Sequence, residues 1–541
     1  MSAGPVRDPV SRDAPGAREI GFSLPEQYNA SRILFDNLAA GRGDRTAILS
    51  PAGDATWSAL CDAACRFGNA LRARGLNPGD RVLLLLDDTA VCPAALFGAI
   101  RAGFVPVLVN TLSTRDLVRF YLEDSGATVA VVESGLCALF DRETVAGTAL
   151  GTVVVANGPV PDGLPVAAGA WPALLADAAP DLPEAPTKRD DMAFWMYSSG
   201  STGRPKGIVH LQHDMAYTAE SYARHILHLG PDDICYSPPK IFFAYGLGNS
   251  VSFPFLAGAT TALNPGRPDP GAVFDCIARY RPTVLFGLPT LYNALIGDAR
   301  AATADLDSIR LCLSAAEVLS ADLSAAWAAR FGQRIVEGLG STEMLHIYLS
   351  NTQQEQRPGS AGRRVPGYEV RLVDGDGRAV DGEDTGVLQV RGDSSTPCYW
   401  NRPEQTAETM RGDWIHTGDR FRVDADGFHY FLGRSDDLIR VSGQWVWPLE
   451  IELCLADDPR VRECAVAGVK MADGRMTLKA FVVAAPDATP GDALTRALQD
   501  RIKQALLPHK YPRIVEYLDA LPKTGTDKID RRKLLAGDDG V

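Results

Sequence analysis

The sequence has no apolar run approaching the roughly eighteen residues that a membrane-crossing helix needs. That excludes a helical membrane span. Arg7, Arg12 and Arg18 sit in a leader broken by Pro and Gly, with no apolar stretch of signal-peptide type. Metal-binding spacings are missing as well. His210 and His213 have no third ligand at a suitable distance along the chain, so they read as capping or packing histidines rather than zinc ligands. The 10 cysteines are scattered, and the closest pairs, Cys61/Cys65 and Cys454/Cys464, have neither zinc-knuckle nor redox spacing. They predict reduced, mostly buried thiols in a cytoplasmic protein. Basic charge is in deficit: 54 Lys and Arg against 67 Asp and Glu leave a net charge of −13. This disfavours nonspecific binding to nucleic acid or anionic membrane, but leaves room for a local basic pocket for a phosphorylated cofactor. No internal repeat or low-complexity tract stands out.

What the chain does have is length and apolar content. At 541 residues with 46% hydrophobic composition it is too long for one core and can fill roughly three or four units of ordinary size. Helical spacing marks Ser31–Leu38 and the segment from Trp57 to Leu71, which Gly75 and Pro78 close. Continuous apolar runs at Val82–Leu86, Val105–Val109 and Thr128–Val132 alternate with helical stretches at Cys92–Ile100 and Leu117–Leu122. That alternation predicts a mostly parallel sheet covered on both faces. Residues 157–190, rich in Pro, Ala, Asp and Gly, read as surface connection. Residues 360–432 alternate apolar and polar positions between Gly and Asp turns, the pattern of an antiparallel subdomain. Beyond about residue 436, helical patterns at Leu449–Leu455 and Asp492–Ala505 flank strands at Val461–Val469 and Leu478–Val483, a small α+β unit.

The stretch with most chemistry follows an apolar strand end, Phe194 to Tyr197. It runs Ser198-Ser199-Gly200-Ser201-Thr202-Gly203-Arg204-Pro205-Lys206-Gly207. Backbone amides in such a turn converge into an anion nest, and the glycines supply the dihedrals. It lacks the Gly-Lys-Ser/Thr end of a Walker A loop. Its composition is equally that of a flexible surface loop.

This loop resembles the phosphate loop of the adenylate-forming acyl- and aryl-CoA synthetases. Further motifs stand in that superfamily's order: Gly340-Ser341-Thr342-Glu343, Thr417-Gly418-Asp419, Gly433-Arg434-Ser435-Asp436-Asp437 and Pro522-Lys523-Thr524-Gly525-Thr526-Asp527-Lys528-Ile529. The block Phe242-Phe243-Ala244-Tyr245-Gly246-Leu247-Gly248-Asn249 resembles the benzoate-CoA ligase branch. The resemblance implies a large N-terminal adenylation domain over 1–435, built of several subdomains, and a small mobile C-terminal domain over 436–541.

The same resemblance assigns roles. Ser198, Ser199, Gly200, Ser201, Thr202, Gly203 and Lys206 would hold ATP phosphates, with Thr342 beside them and Glu343 on Mg2+. Asp419 and Arg434 would hold the ribose. Ala244, Tyr245, Gly246, Ala316 and His346 would line the acyl pocket, with Tyr245 gating the carboxylate against the CoA tunnel. Gly443 and Trp445 would border that tunnel, although Trp445 and Trp447 are equally candidates for packing between domains. Asp436 would be the hinge and Lys528 the lysine that drives adenylation. Two positions depart from the superfamily pattern: Ala316 and Asp527 each stand where Gly is usual.

The implied reaction joins a small aromatic carboxylate to CoA at the expense of ATP, in the cytoplasm, without nucleic acid or membrane, and leaves room for a homo-oligomer. A rival is the same adenylation with a carrier-protein thiol as acceptor. A rival of another class is a nucleotide-binding protein that keeps the fold without the catalysis.

Overall fold

The computed structural model describes residues 15–198, 204–380, 385–441, 444–471, 475–506, 510–523 and 529–536. The first three apolar runs become the strands Arg81–Leu85, Val105–Leu108 and Val129–Glu133, parallel and adjacent. Their interior positions are buried, which is why the runs are continuous rather than alternating. Thr152–Ala156 and Ala167–Ala170 extend this sheet on one side. Met192–Ser198 and its antiparallel partner Lys206–Leu211 extend it on the other. The stretch 157–190 is therefore not all connection. It holds an edge strand, Ala167–Ala170, and a short helix, Trp171–Ala176. The strand's Ala-Ala-Gly-Ala sequence is half exposed and carries no apolar signal to read.

Two helices show how this unit closes. Trp57–Ala73 begins at Thr56, whose side chain accepts from Ala59 N–H, and it packs on Val91–Ala102. The contact depends on glycine: a Cβ on Gly98 would lie 2.4 Å from Ala64 O, and one on Gly68 would lie 2.7 Å from Gly98 O.

A second sheet is parallel through Thr46–Leu49, Thr260–Ala262, Ile234–Tyr236, Val284–Gly287, Leu311–Ser314 and Ile335–Gly340. Antiparallel edge strands finish it. As the alternation predicts, Glu369–Val373, Thr385–Arg391, Trp414–Val423 and His429–Arg434 form an antiparallel sheet. Past Asp437, Val461–Lys470, Met476–Ala484 and Ile514–Tyr517 form a mixed sheet. Helices Pro448–Ala456 and Asp492–Ala505 pack with it around their own core, which includes Ile451, Leu455, Val466, Leu478 and Leu498. The whole is an α/β fold with two mostly parallel sheets, one antiparallel sheet and a small α+β unit. Among the described residues no helix is long and apolar enough to cross a membrane.

Candidate active site

In both parallel sheets the segments of interest leave the carboxyl ends of strands, where open α/β sheets bind ligands. Ser198 ends the strand Met192–Ser198 and pairs with Lys206, the first residue of the next strand. Ser199 to Gly203, between them, lie outside the described residues. The Lys206 ammonium donates to Tyr399 Oη at 2.8 Å and to Glu343 Oε1 at 3.3 Å. It also sits 3.9 Å from the centre of the Tyr399 ring. Tyr399 Oη in turn donates to Glu343 Oε1 at 2.7 Å. Burial works to raise the Glu343 carboxyl, but the Lys206 charge and the Tyr399 hydroxyl outweigh it and hold the group below its ordinary range. Burial, and then the neighbouring Glu343 charge, push the Tyr399 phenol upward, so it stays a donor.

Tyr399 reaches this position because residues 396–400 lie along the strand Lys206–Leu211. Trp400 N–H donates to Gly207 O at 2.8 Å, and Thr396 Oγ1 donates to Val209 O at 2.7 Å. The Trp400 ring lies 4.4 Å from that of Trp195. The sequence reading missed Tyr399. The aromatic pair Tyr399-Trp400 ahead of Asn401-Arg402-Pro403 is the one local signal, and a buried hairpin would give the same.

Glu343 stands in a one-turn 3-10 helix, Thr342–Met344, capped by Ser341, whose side chain accepts from Met344 N–H. Three successive carbonyls of this turn are claimed from outside. Thr342 O faces His210 Nε2 at 2.9 Å, Glu343 O accepts from Thr396 N–H at 2.7 Å, and Met344 O accepts from Ser394 Oγ at 2.9 Å. The carboxylate therefore projects from a backbone fixed at each residue.

Asp419 and Arg434 face each other across the antiparallel strands Trp414–Val423 and His429–Arg434. Arg434 Nη1 donates to Asp419 Oδ1 at 3.1 Å and to Thr417 O at 3.3 Å. Gly418 has φ +76, and a Cβ there would come within 3.0 Å of the Arg434 guanidinium. A partly exposed carboxylate beside a cation suits acceptance of paired hydroxyl donors.

The acyl-pocket candidates converge in part. Ala244, Tyr245 and Gly246 lie in the short helix Ala244–Leu247, which continues as a wider π-type turn over Gly248–Ser252. Such turns recur at functional sites. A Cβ on Gly246 would overlap Lys240 O at 2.0 Å, and one on Gly248 would lie 2.3 Å from His346 Cδ2. The His346 ring is thus seated over the bare backbone of Gly248, 5.6 Å from the Tyr245 ring and 4.3 Å from that of Phe253. Burial pushes its pKa down to about 3, so it is neutral at pH 7. His346 Nδ1 is buried without a hydrogen-bond partner among the described residues, and the buried Tyr245 hydroxyl and Asn249 amide have no partner there beyond each other. Such a cluster suits a ligand with polar edges. Ala316, just past the strand Leu311–Ser314, is exposed and holds φ +69, a left-handed conformation. On the adjacent strand Glu337, the register partner of Ser314, accepts from Leu319 N–H at 3.1 Å, and burial pushes its carboxyl up to about 8.

Of the other predicted positions, Gly443 and Lys528 lie outside the described residues. Trp445 belongs to the strand Gln444–Val446. Asp436 lies in the 3-10 turn Ser435–Asp437 that leads into the last unit. Trp447 packs against the antiparallel sheet: its ring would sit 3.2 Å from a Cβ on Gly433 and lies 5.6 Å from the Arg420 guanidinium.

Residues 35–400 match the profile of the AMP-binding enzyme family, and residues 450–528 match that of the AMP-binding enzyme C-terminal domain. The chain belongs to the AMP-binding enzyme family. It is 44% identical over 516 residues to a benzoate–CoA ligase of Thauera aromatica, covering 95% of this chain and 97% of that one. Among solved structures, an anthranilate CoA ligase in complex with anthranoyl-AMP superimposes with a TM-score of 0.89 at 35% identity, covering 95% of this chain and 98% of its own. A benzoate CoA ligase from Burkholderia xenovorans LB400 gives a TM-score of 0.86 at 38% identity, covering 94% and 99%.

Proposed function

We propose that the chain is an ATP-dependent benzoate–CoA ligase that activates benzoate or a small substituted benzoate. The observation that carries this reading is a 44% likeness to one benzoate–CoA ligase running through 95% of the chain, so that it spans both family regions. ATP and CoA are its substrates. In the first half-reaction a carboxylate oxygen attacks the α-phosphorus, and the bond to the pyrophosphate oxygen breaks. In the second the CoA sulfur attacks the acyl carbon of the aryl-AMP, the thiol proton is lost and AMP leaves.

The residues divide the work by chemistry. The turn from Ser198 to Lys206 and the Thr342 hydroxyl hold phosphate oxygens, and Lys206 supplies the fixed cation against which phosphoryl charge develops. Asp419 and Arg434 hold the ribose. Tyr245, Ala244, Gly246, Ala316 and His346 hold the flat ring and its carboxylate. The neutral His346 brings no charge of its own to the carboxylate. Lys528 approaches for adenylation and leaves before thiolation, as the parts 1–435 and 436–541 turn about Asp436 and bring Gly443 and Trp445 to the pantetheine arm.

The residues also fit Mg2+. Among the described residues no cluster of three metal-ligating side chains occurs, but Mg2+ takes few carboxylates and completes its shell from water and phosphate oxygens. Glu343, kept ionised by its neighbours, would hold it, and the ion would neutralise phosphate charge. The enzyme works in the cytoplasm, and its carriers are small molecules.

The test is AMP release across benzoate, its hydroxy, amino and fluoro derivatives, phenylacetate, cinnamate and octanoate, each with and without CoA. Benzoate or a mono-substituted benzoate should have the highest kcat/KM, with AMP release dependent on CoA. Octanoate or cinnamate beating every benzoate would overturn the aryl assignment. Turnover with a carrier-protein thiol but not with CoA would favour the rival acceptor.

A further inference from the structure

His210 and His213 are more than packing residues. Both are buried, and all four ring nitrogens have partners. His213 Nδ1 is 2.7 Å from Arg189 O, and its Nε2 is 2.7 Å from Asp393 O. A carbonyl oxygen accepts and never donates, so hydrogen bonds on both sides require a hydrogen on both nitrogens. His213 is thus an imidazolium. Three carboxylates surround it: Asp214 Oδ1 at 3.3 Å, Asp190 Oδ1 at 3.4 Å and Asp393 Oδ1 at 3.8 Å. The Arg189 guanidinium lies 3.5 Å from Asp190. Burial alone would lower the imidazolium's pKa, and Asp214, Asp393 and the two carbonyls outweigh it.

The next link runs toward the nucleotide site. Among the described residues Asp214 Oδ1 makes no hydrogen bond, so its contact with His213 is Coulombic. Asp214 Oδ2 accepts from Leu211 N–H at 3.0 Å and bonds His210 Nδ1 at 2.8 Å. The His210 ring lies over Phe194 with 5.1 Å between centres and 24° between planes. Its Nε2 then donates to Thr342 O at 2.9 Å, at the root of the Glu343 turn.

We propose that His210 is a positioning residue for adenylation, oriented by Asp214 and the His213 imidazolium, which fixes the Thr342–Glu343 turn where the ATP phosphates lie. This rests on the adenylation reading above. Asp393 joins the same support, because Ser394 next to it holds Met344 O.

A pair of variants separates positioning from bulk packing. A glutamine amide reaches the place of Nε2, and an asparagine amide the place of Nδ1. His210→Gln keeps the donor for Thr342 O, whereas His210→Asn loses it. Losing that hydrogen bond should lower aryl-AMP formation about tenfold or more. His210→Gln should recover most of it. Thioester formation from supplied aryl-AMP and CoA should stay near wild type in both. Equal loss in the two variants, equal loss in the two half-reactions, or no loss in His210→Asn would overturn the proposal. If the variants do not fold, 15N-histidine spectra of the wild type at pH 8 decide instead. A His213 ring with both nitrogens protonated supports the chain of contacts, and a neutral His213 overturns it. A wild type that forms no aryl-AMP from any acid overturns the adenylation reading, and this proposal with it.

Discussion

Tyr399 and Glu343 share one hydrogen bond of 2.7 Å that, with the charge of Lys206, holds the candidate metal-binding carboxyl below its ordinary range. The phenol donates to the same oxygen that faces Lys206, so the cation is not the sole anchor of that carboxylate. Tyr399→Phe removes a hydrogen bond to a charged group, worth about 1.5–3 kcal/mol. Its kcat/KM for ATP should fall about tenfold to a hundredfold. Because the hydroxyl contributes to the depressed pKa, Glu343 should titrate higher in the variant, and the acid limb of the adenylation pH profile should move up. An unmoved acid limb would separate Tyr399 from the charge of Glu343.

Glu337 should behave oppositely with pH. Its folded pKa, about 8, lies above the ordinary value of 4.5. Its contribution to stability is therefore intact below pH 4.5, declines as pH rises from there, and is fully lost above pH 8. Glu337→Gln keeps an acceptor for Leu319 N–H and removes the ionisation. Its unfolding free energy from urea titration should match wild type near pH 5 and exceed it at pH 9 by on the order of a few kcal/mol. A gap that is the same at both pH values would refute the buried-acid account.

Much of this architecture was legible in the chain. Asp492–Ala505 occurs as a helix with the predicted bounds, and the central strands fall within a residue or two of their apolar runs, because burial on both faces leaves an unmistakable pattern. Ala167–Ala170 was not legible, since an edge strand of small residues buries little. Asp419 and Arg434, named from two separate local motifs, are brought together by a strand register. Tyr399 was not legible, because its role comes from residues 396–400 docking on Lys206–Leu211, almost two hundred positions earlier. The fit of His346 over Gly248 was hidden for the same reason: absence of a side chain is visible in sequence, but what occupies its place is not.

The departure at Ala316 has a consequence for stability as well as specificity. At φ +69 an L-residue costs roughly 1–2 kcal/mol. Glycine there removes that cost but adds about 0.5–1 kcal/mol of chain entropy. Ala316→Gly should therefore raise stability by about 1 kcal/mol or less, read as a higher urea midpoint at unchanged slope. It should also broaden use of larger aromatic acids while leaving the requirement for ATP intact. A lower midpoint would mean that the methyl group has packing value in the folded protein that outweighs the strain.

The last prediction separates the two half-reactions. Lys528, matched to the superfamily's mobile lysine, lies outside the described residues, but the ends of its segment are tied down. Lys523 and Ile529 form an antiparallel bridge, and Arg531 binds Glu452 and Val466 O in the C-terminal unit. On the proposed role of Lys528 in adenylation, Lys528→Ala should lower aryl-AMP formation about a hundredfold or more. Thioester formation from supplied aryl-AMP should hold. Asp436→Pro tests the proposed hinge instead. Proline fixes φ and removes a backbone donor in the turn Ser435–Asp437, between the Gly433 strand and the Trp447 ring packed on it. It should slow turnover of supplied aryl-AMP with CoA while single-turnover adenylation stays near wild type. Equal loss of both steps in Lys528→Ala would sink the two-conformation account. A wild-type rate of thiolation in Asp436→Pro would move the hinge elsewhere in the chain.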